Sequence, residues 1–289
     1  VTNNLLTDIT TPPSLGFNSY KDNLGKLLNT GYEFNVNYLV LTRPEDRMSL
    51  NVFVAGTSNK NKIKEISNSL SSLTSSQDKE AANSNKPFVR FVEGQSLNAI
   101  WAVRSKGIDP SSGKEVFVRP DGTLTDTWSA LDQVVCGDTE PKLMGNVGFT
   151  FEYKGLSVSF TGLYRIGEYM YNQTLVDKVE NVDPEKNADR RVLYQRWQEP
   201  GDVAYFKAID DKTRTMPTSR FIEDNNYLTL SSLNISYEFG ADVLRKLSID
   251  RLKFSLIGNE LFRSSTVKME RGLTYPFART FTFAMQVSF

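Results

Sequence analysis

The last ten residues restrict what this chain can fold into more than any other stretch. From Thr280 to Phe289 the sequence alternates without a fault. Phe281, Phe283, Met285, Val287 and Phe289 fall on one face of a strand, and Thr280, Thr282, Ala284, Gln286 and Ser288 on the other. A strand sends successive side chains to opposite faces, so this segment is an apolar wall backed by a wall of small, mostly polar residues. A soluble sheet lying over a core gives such a pattern. A membrane-spanning barrel gives it too, with lipid outside and a polar lumen inside. The aromatic terminus and the order of the loops favour the barrel.

Six further segments alternate in the same way: 31–41 (Tyr32, Phe34, Val36, Tyr38, Val40), 48–57 (Leu50, Val52, Val54), 145–153 (Val147, Phe149, Phe151, Tyr153), 156–164 (Leu156, Val158, Phe160), 227–239 (Leu233, Ile235, Tyr237) and 250–258 (Leu252, Phe254, Leu256). Residues 1–8 read as the end of an eighth. At about ten residues and strong tilt each spans a hydrocarbon layer, whereas soluble strands are mostly about five or six residues. The links at 42–47, 154–155 and 240–249 are short, and those at 58–144, 165–226 and 259–279 are long. Strict alternation of short and long links is the signature of a barrel with tight periplasmic turns and large extracellular loops. Within the long links, Ile63, Ile66, Leu70 and Leu73 predict a helix over 62–82. Residues 96–120 read as a hairpin turning at Asp109 to Gly113. Residues 177–224, dense in both charge signs, read as a solvated surface.

Composition removes several function classes. The 34 Lys and Arg residues balance 34 Asp and Glu, so nothing points to nucleic acid. The single cysteine, Cys136, allows no internal disulfide, and the absence of histidine removes imidazole-based catalysis and His-ligated zinc. No apolar run is long enough for a transmembrane helix. We expect no catalytic set, no metal and no cofactor, and therefore no enzyme. The carboxylate pairs Asp210-Asp211 and Asp183/Glu185 could act as acid and base or hold calcium, but such neighbours in polar loops are commonly solvated. Loop aromatics carry more weight, because sugars and peptides bind by stacking on aromatic faces. Trp128, Tyr169, Tyr171 and Trp197 are the candidates for substrate contact. Val1 opens into polar residues with no basic or apolar leader, so the sequence reads as a cut through a longer protein.

Short motifs then fall into an order. They are Glu93-Gly94-Gln95-Ser96, Gly107-Ile108-Asp109-Pro110 with Gly113-Lys114, Pro141-Lys142 leading to Tyr153-Lys154-Gly155, and Arg196-Trp197 with Pro200-Gly201-Asp202. Next come Ser219-Arg220-Phe221-Ile222-Glu223-Asp224 through Tyr227-Leu228, then Gly258-Asn259-Glu260-Leu261-Phe262, and Tyr275-Pro276 with Arg279-Thr280-Phe281. Together they resemble the SusC/RagA family of TonB-dependent outer-membrane transporters. The resemblance runs from about residue 20 to Phe289. It implies that 1–289 is the C-terminal portion of a 22-stranded barrel, with the plug domain, TonB box and first strands outside this chain. It implies an outer-membrane location in a Gram-negative bacterium and import of oligosaccharides or oligopeptides. It implies a SusD-like lipoprotein lid, TonB acting through the missing part, and the remainder of the barrel as a separate or cleaved chain. Phe289, with Val287, Met285 and Phe283 on its face, would be the assembly signal. An open edge in lipid leaves backbone groups unpaired, so both edges need a partner. The alternatives are a small barrel of eight strands and a soluble or surface-attached β-sheet module that binds glycans.

Overall fold

The computed structural model describes residues 6–10, 19–23, 25–67, 83–247, 249–268 and 278–289. Its contacts divide the chain into a sheet unit (Gly31–Asn59, Pro141–Gly167, Asn225–Phe289) and a loop unit (Val1–Thr30, Lys60–Glu140, Glu168–Asp224). Two strands open the chain, β1 (Leu6–Thr10) and β2 (Ser19–Asn23), paired with each other. The expected eighth strand is therefore a hairpin arm and, among the described residues, no member of the main sheet.

That sheet begins with β3 (Gly25–Arg43) and β4 (Met48–Ile66). The loop unit then supplies β5 (Ala99–Ile108), β6 (Glu115–Val118), β7 (Leu124–Thr125) and β8 (Gln133–Asp138), hydrogen-bonded in the order β7-β6-β5-β8. The predicted hairpin is the β5–β6 pair. The main sheet resumes with β9 (Leu143–Tyr153) and β10 (Leu156–Ile166). After β11 (Tyr169–Tyr171) and β12 (Ile222–Asp224), which pair together, come β13 (Tyr227–Glu238), β14 (Arg251–Ser265) and β15 (Thr280–Ser288). The seven strands run β15-β14-β13-β10-β9-β4-β3, so β15 and β3 are its edges among the described residues.

All seven alternating segments are strands, and several exceed the alternation. β4 continues to Ile66, so the helix predicted over 62–82 fails at its start: Ile63 and Ile66 lie in a strand. Leu70 and Leu73 lie outside the described residues. The helical spacing misled because Lys60–Glu65 holds a single apolar residue, the buried Ile63, too few to mark a period of two in the sequence.

The register turns single-strand patterns into a two-faced wall. Leu50, Phe151, Val158, Ile235, Leu256 and Phe283 stand side by side across six strands. One residue on, the row reads Asn51, Thr150, Ser159, Asn234, Ile257, Thr282. Burial is inverted relative to a soluble sheet: Ser236 is 3% exposed, while its neighbours Ile235 and Tyr237 are 39% and 43% exposed. On β13 the polar face is the sheltered one. The turn at Lys154-Gly155 has positive φ at both residues (45° and 92°), the geometry that matches strand twist in a two-residue hairpin. The third short link holds an unpredicted helix, α1 (Ala241–Leu247), with Leu244 buried. Phe239 leads into it, edge-on to Tyr237 and Phe254.

Candidate functional site

The loop unit has the closed core that the sheet unit lacks. Val176, Val179, Val192, Phe206 and Phe221 pack together, all at most 5% exposed. Beside them lies an ionic centre that sequence reasoning treated as solvated surface. Arg220 sits on the helical turn Ser219–Phe221, where Thr218 Oγ1 accepts from Arg220 N at 3.2 Å. Its guanidinium forks onto Glu115 of β6 (Nε to Oε1 3.1 Å, Nη2 to Oε2 2.7 Å) and reaches Glu180 Oε1 at 2.6 Å. Nη1 donates to Tyr205 O at 2.5 Å, and the Phe221 ring lies 4.5 Å away. Glu180 also accepts from Thr215 Oγ1 at 3.1 Å. Arg196 donates to the carbonyls of Val192 (3.0 Å), Lys207 (2.8 Å) and Val179. The Lys207 ammonium donates to Thr213 O.

Pairing or hydrogen bonding offsets the cost of burying these charges. Burial pushes the Arg220 guanidinium down, but Glu115 and Glu180 together outweigh it and hold it above the ordinary range. Burial lowers Arg196 and Lys207. Burial, with help from Glu223, raises the Tyr205 phenol to about 12. The sequence signal was present, since Arg220 lies in one of the resembling motifs, yet nothing local reveals that Glu115, 105 residues away, is its partner.

Three further motifs tie segments together. Gly94 takes a φ of 82°, and the turn it makes clamps the end of β4: Gly94 N donates to Ile63 O (2.8 Å), and Ile63 N to Gln95 O (2.9 Å). Asn61 Oδ1 accepts from Ser96 Oγ and Leu97 N. Trp197 donates to Pro110 O at 2.9 Å, and Gly201 N donates to the same carbonyl at 2.8 Å. The Trp197 ring lies over Gly113, where a Cβ would come within 2.6 Å of it. Two of the resembling motifs thus hold each other.

Of the substrate candidates, Trp128 donates to Pro217 O at 3.1 Å. Tyr169 rests on Gly137. Tyr171 packs edge-on against Phe221, and its hydroxyl donates to Asn85 O at 3.4 Å. Tyr171 alone of the four borders a cleft of about 540 Å³, whose walls include Phe88, Val89, Leu97, Ile100 and Met170. A second cleft, of about 510 Å³, is ionic, with Asp177, Asp183, Lys207, Lys212 and Arg214 in its walls. Asp183 accepts from Glu185 N and pairs with Lys186 at 2.9 Å, and Asp211 accepts from Thr213 N and Oγ1. Among the described residues no group of three or more such side chains is placed to hold a metal ion. In the sheet unit, Phe283, Met285 and Phe289 are strongly exposed on or just beyond the edge strand, and Val287 is half-buried opposite Leu252.

No family model matches the chain. Three curated relatives from Formosa agariphila (strain DSM 15362 / KCTC 12365 / LMG 23005 / KMM 3901 / M-2Alg 35-1) are TonB-dependent receptors. P26 is 26% identical and P3 22% identical, each over all of this chain; P39 is 24% identical over 62% of it. This chain spans 32% and 31% of the lengths of P26 and P3. Among solved structures, the RagAB peptide transporter superposes with a TM-score of 0.78 at 19% identity, over 99% of this chain and 32% of that one. The RagAB importer in its open-open state gives 0.77 at 18% identity, over 99% and 31%. The resemblance to SusC/RagA-type TonB-dependent transporters is borne out, and the fold is that of part of a transmembrane antiparallel β-barrel.

Proposed function

We propose that this chain is the C-terminal barrel portion of an outer-membrane, TonB-dependent importer of oligosaccharides or oligopeptides, working with a SusD-like lipoprotein lid. The observation that carries this reading is the inverted sheet. An apolar face exposed at Ile235, Leu256 and Phe283 and half-buried at Leu50, Phe151 and Val158, with Ser236 buried on the opposite face, suits lipid outside and a wet lumen inside. The open edges β3 and β15 then pair with the rest of the barrel, since unpaired backbone is costly in lipid. The loop unit, built from the long links, would be extracellular. Leu131, Leu193, Tyr194 and Val203 are exposed apolar side chains there, and they suit contact with a lid. The RagAB likeness supports a lipoprotein partner, and the receptor relatives support coupling to TonB.

Labelling of intact cells tests the topology. Single cysteines replacing Lys186 and Val203 should react with an impermeant maleimide, and one replacing Arg43, at the first short turn, should react only after lysis. The reverse pattern would overturn the assignment.

A further inference from the structure

We infer that the 540 Å³ cleft of the loop unit seats an apolar side chain of a peptide bound along residues 87–91. This rests on the import reading and narrows its substrate class. The cleft is within the size of small-ligand sites, about 300–1,000 Å³. Its walls are Pro87, Phe88, Val89, Leu97, Ile100 and Met170, with Tyr171 at one side. Apart from Lys86, its polar side chains are already engaged. Asn98 Nδ2 donates to Glu140 Oε2 at 2.9 Å, Thr139 Oγ1 to Asn98 O at 3.3 Å, Gln173 Nε2 to Asp177 Oδ1 at 2.9 Å, and the Tyr171 hydroxyl to Asn85 O. A sugar filling the seat would bury hydroxyls against its apolar walls, and each unpartnered hydroxyl costs about 1–3 kcal/mol. An aliphatic or aromatic side chain gives up nothing polar.

Next to this apolar seat lies unclaimed backbone. Phe88, Val89 and Phe91 belong to no strand, and their main-chain N–H and C=O groups have no hydrogen-bond partner among the described residues. Side-chain pockets beside free main-chain donors and acceptors are how peptides are read when backbone pairing supplies affinity and the pocket supplies selectivity. The Lys86 ammonium, on the cleft wall, has no acidic partner among the described residues and is placed to meet a peptide carboxylate. Val89 is 48% exposed, so the seat opens to solvent.

The test uses the full-length transporter purified in detergent and titrated calorimetrically with three probes: Ala-Ala-Leu-Ala-Ala, Ala-Ala-Asp-Ala-Ala and maltopentaose. The leucine peptide should bind about tenfold or more tightly than the aspartate peptide, and maltopentaose should not compete with it. Val89→Asp should weaken the leucine peptide by about tenfold without changing the melting temperature, and Lys86→Ala should weaken it less. Equal affinity for the two peptides, competition by maltopentaose, no peptide binding, or an unaltered Val89→Asp variant would each overturn the inference. Glycan uptake by cells without peptide binding would remove this inference and spare the import reading. Peptide binding by a protein that never reaches the outer membrane would do the opposite.

Discussion

The two units of this chain solve the burial problem in opposite ways. The loop unit hides its apolar side chains: Val103, Val176, Val179 and Phe221 have no exposure at all. It even hides charge, at Glu180 and Arg220, by pairing it. The sheet unit buries Ser58, Thr229 and Ser236 and exposes Tyr32, Tyr38, Tyr237, Phe262, Phe281 and Phe283. Thr229 is 4% exposed beside Leu228 at 41%, and only Leu244 and Val267 stand out as buried apolar residues among those described. One rule covers both: each face matches its solvent. The loop unit is built for water. The sheet unit carries the same apolar investment on the outside, which makes sense only if the outside is hydrocarbon or a partner.

The largest way to break the comparison is at the ionic centre. Arg220→Met leaves two buried carboxylates without their cation and should destabilise the loop unit by about 3–5 kcal/mol. Limited proteolysis of membranes should then cut within residues 168–224 while the variant still inserts. Equal protease resistance would show that the centre is not what closes the unit. Next is the sheet. Phe254, stacked on Phe283 with ring centroids 5.7 Å apart, should cost about 2–4 kcal/mol as Phe254→Arg near the bilayer midplane, whereas Ser255→Ala should cost little. Reversible unfolding in lipid vesicles reads both.

A smaller effect separates the units by pH. The Tyr205 phenol is raised from 10.0 to about 12 in the folded loop unit, mainly by burial. Its share of stability is complete below pH 10, because both states are neutral there. That share is lost as pH climbs towards 12, where the unfolded state gains by ionising first. Thermal melting of the loop unit should therefore soften across this window, and Tyr205→Phe should soften less; identical slopes would remove the assignment. The smallest effect on stability belongs to Phe289. Its deletion should lower the amount of protein in the outer membrane, read by fractionation and immunoblot, with little change in the melting of what arrives. Unchanged amounts would remove its role as an assembly signal.

The sheet was legible because its signal is local. A period of two survives in each strand, so all seven segments, their order and the alternation of link lengths could be read before any contact was known. What failed lies where a strand holds too few apolar residues to mark its faces. Lys60–Glu65 alternates only between lysines and a mixed face with one apolar residue, Ile63, and the helical spacing of Ile63 and Ile66 filled the gap. The loop unit was legible as a hairpin and little else, because its organisation is long-range. Glu115 finds Arg220 across 105 positions, and a charge-dense stretch looks solvated until that partner is seen. The motifs around Gly94, Gly113, Trp197 and Arg220 proved to be structural ties, while Tyr275-Pro276 lies outside the described residues. They announced the fold well and the substrate poorly. Trp128 and Trp197 donate their indole N–H groups to loop carbonyls, and only Tyr171 borders the apolar cleft.

Everything turns on which face of the sheet meets lipid. Spin labels at positions 254, 255 and 256, placed one at a time in a Cys136→Ser background and reconstituted in vesicles, measure this directly. Labels at 254 and 256 should collide with oxygen dissolved in the bilayer, and the label at 255 with a water-soluble nickel chelate. Equal accessibility at all three positions, or the opposite pattern, would contradict the barrel.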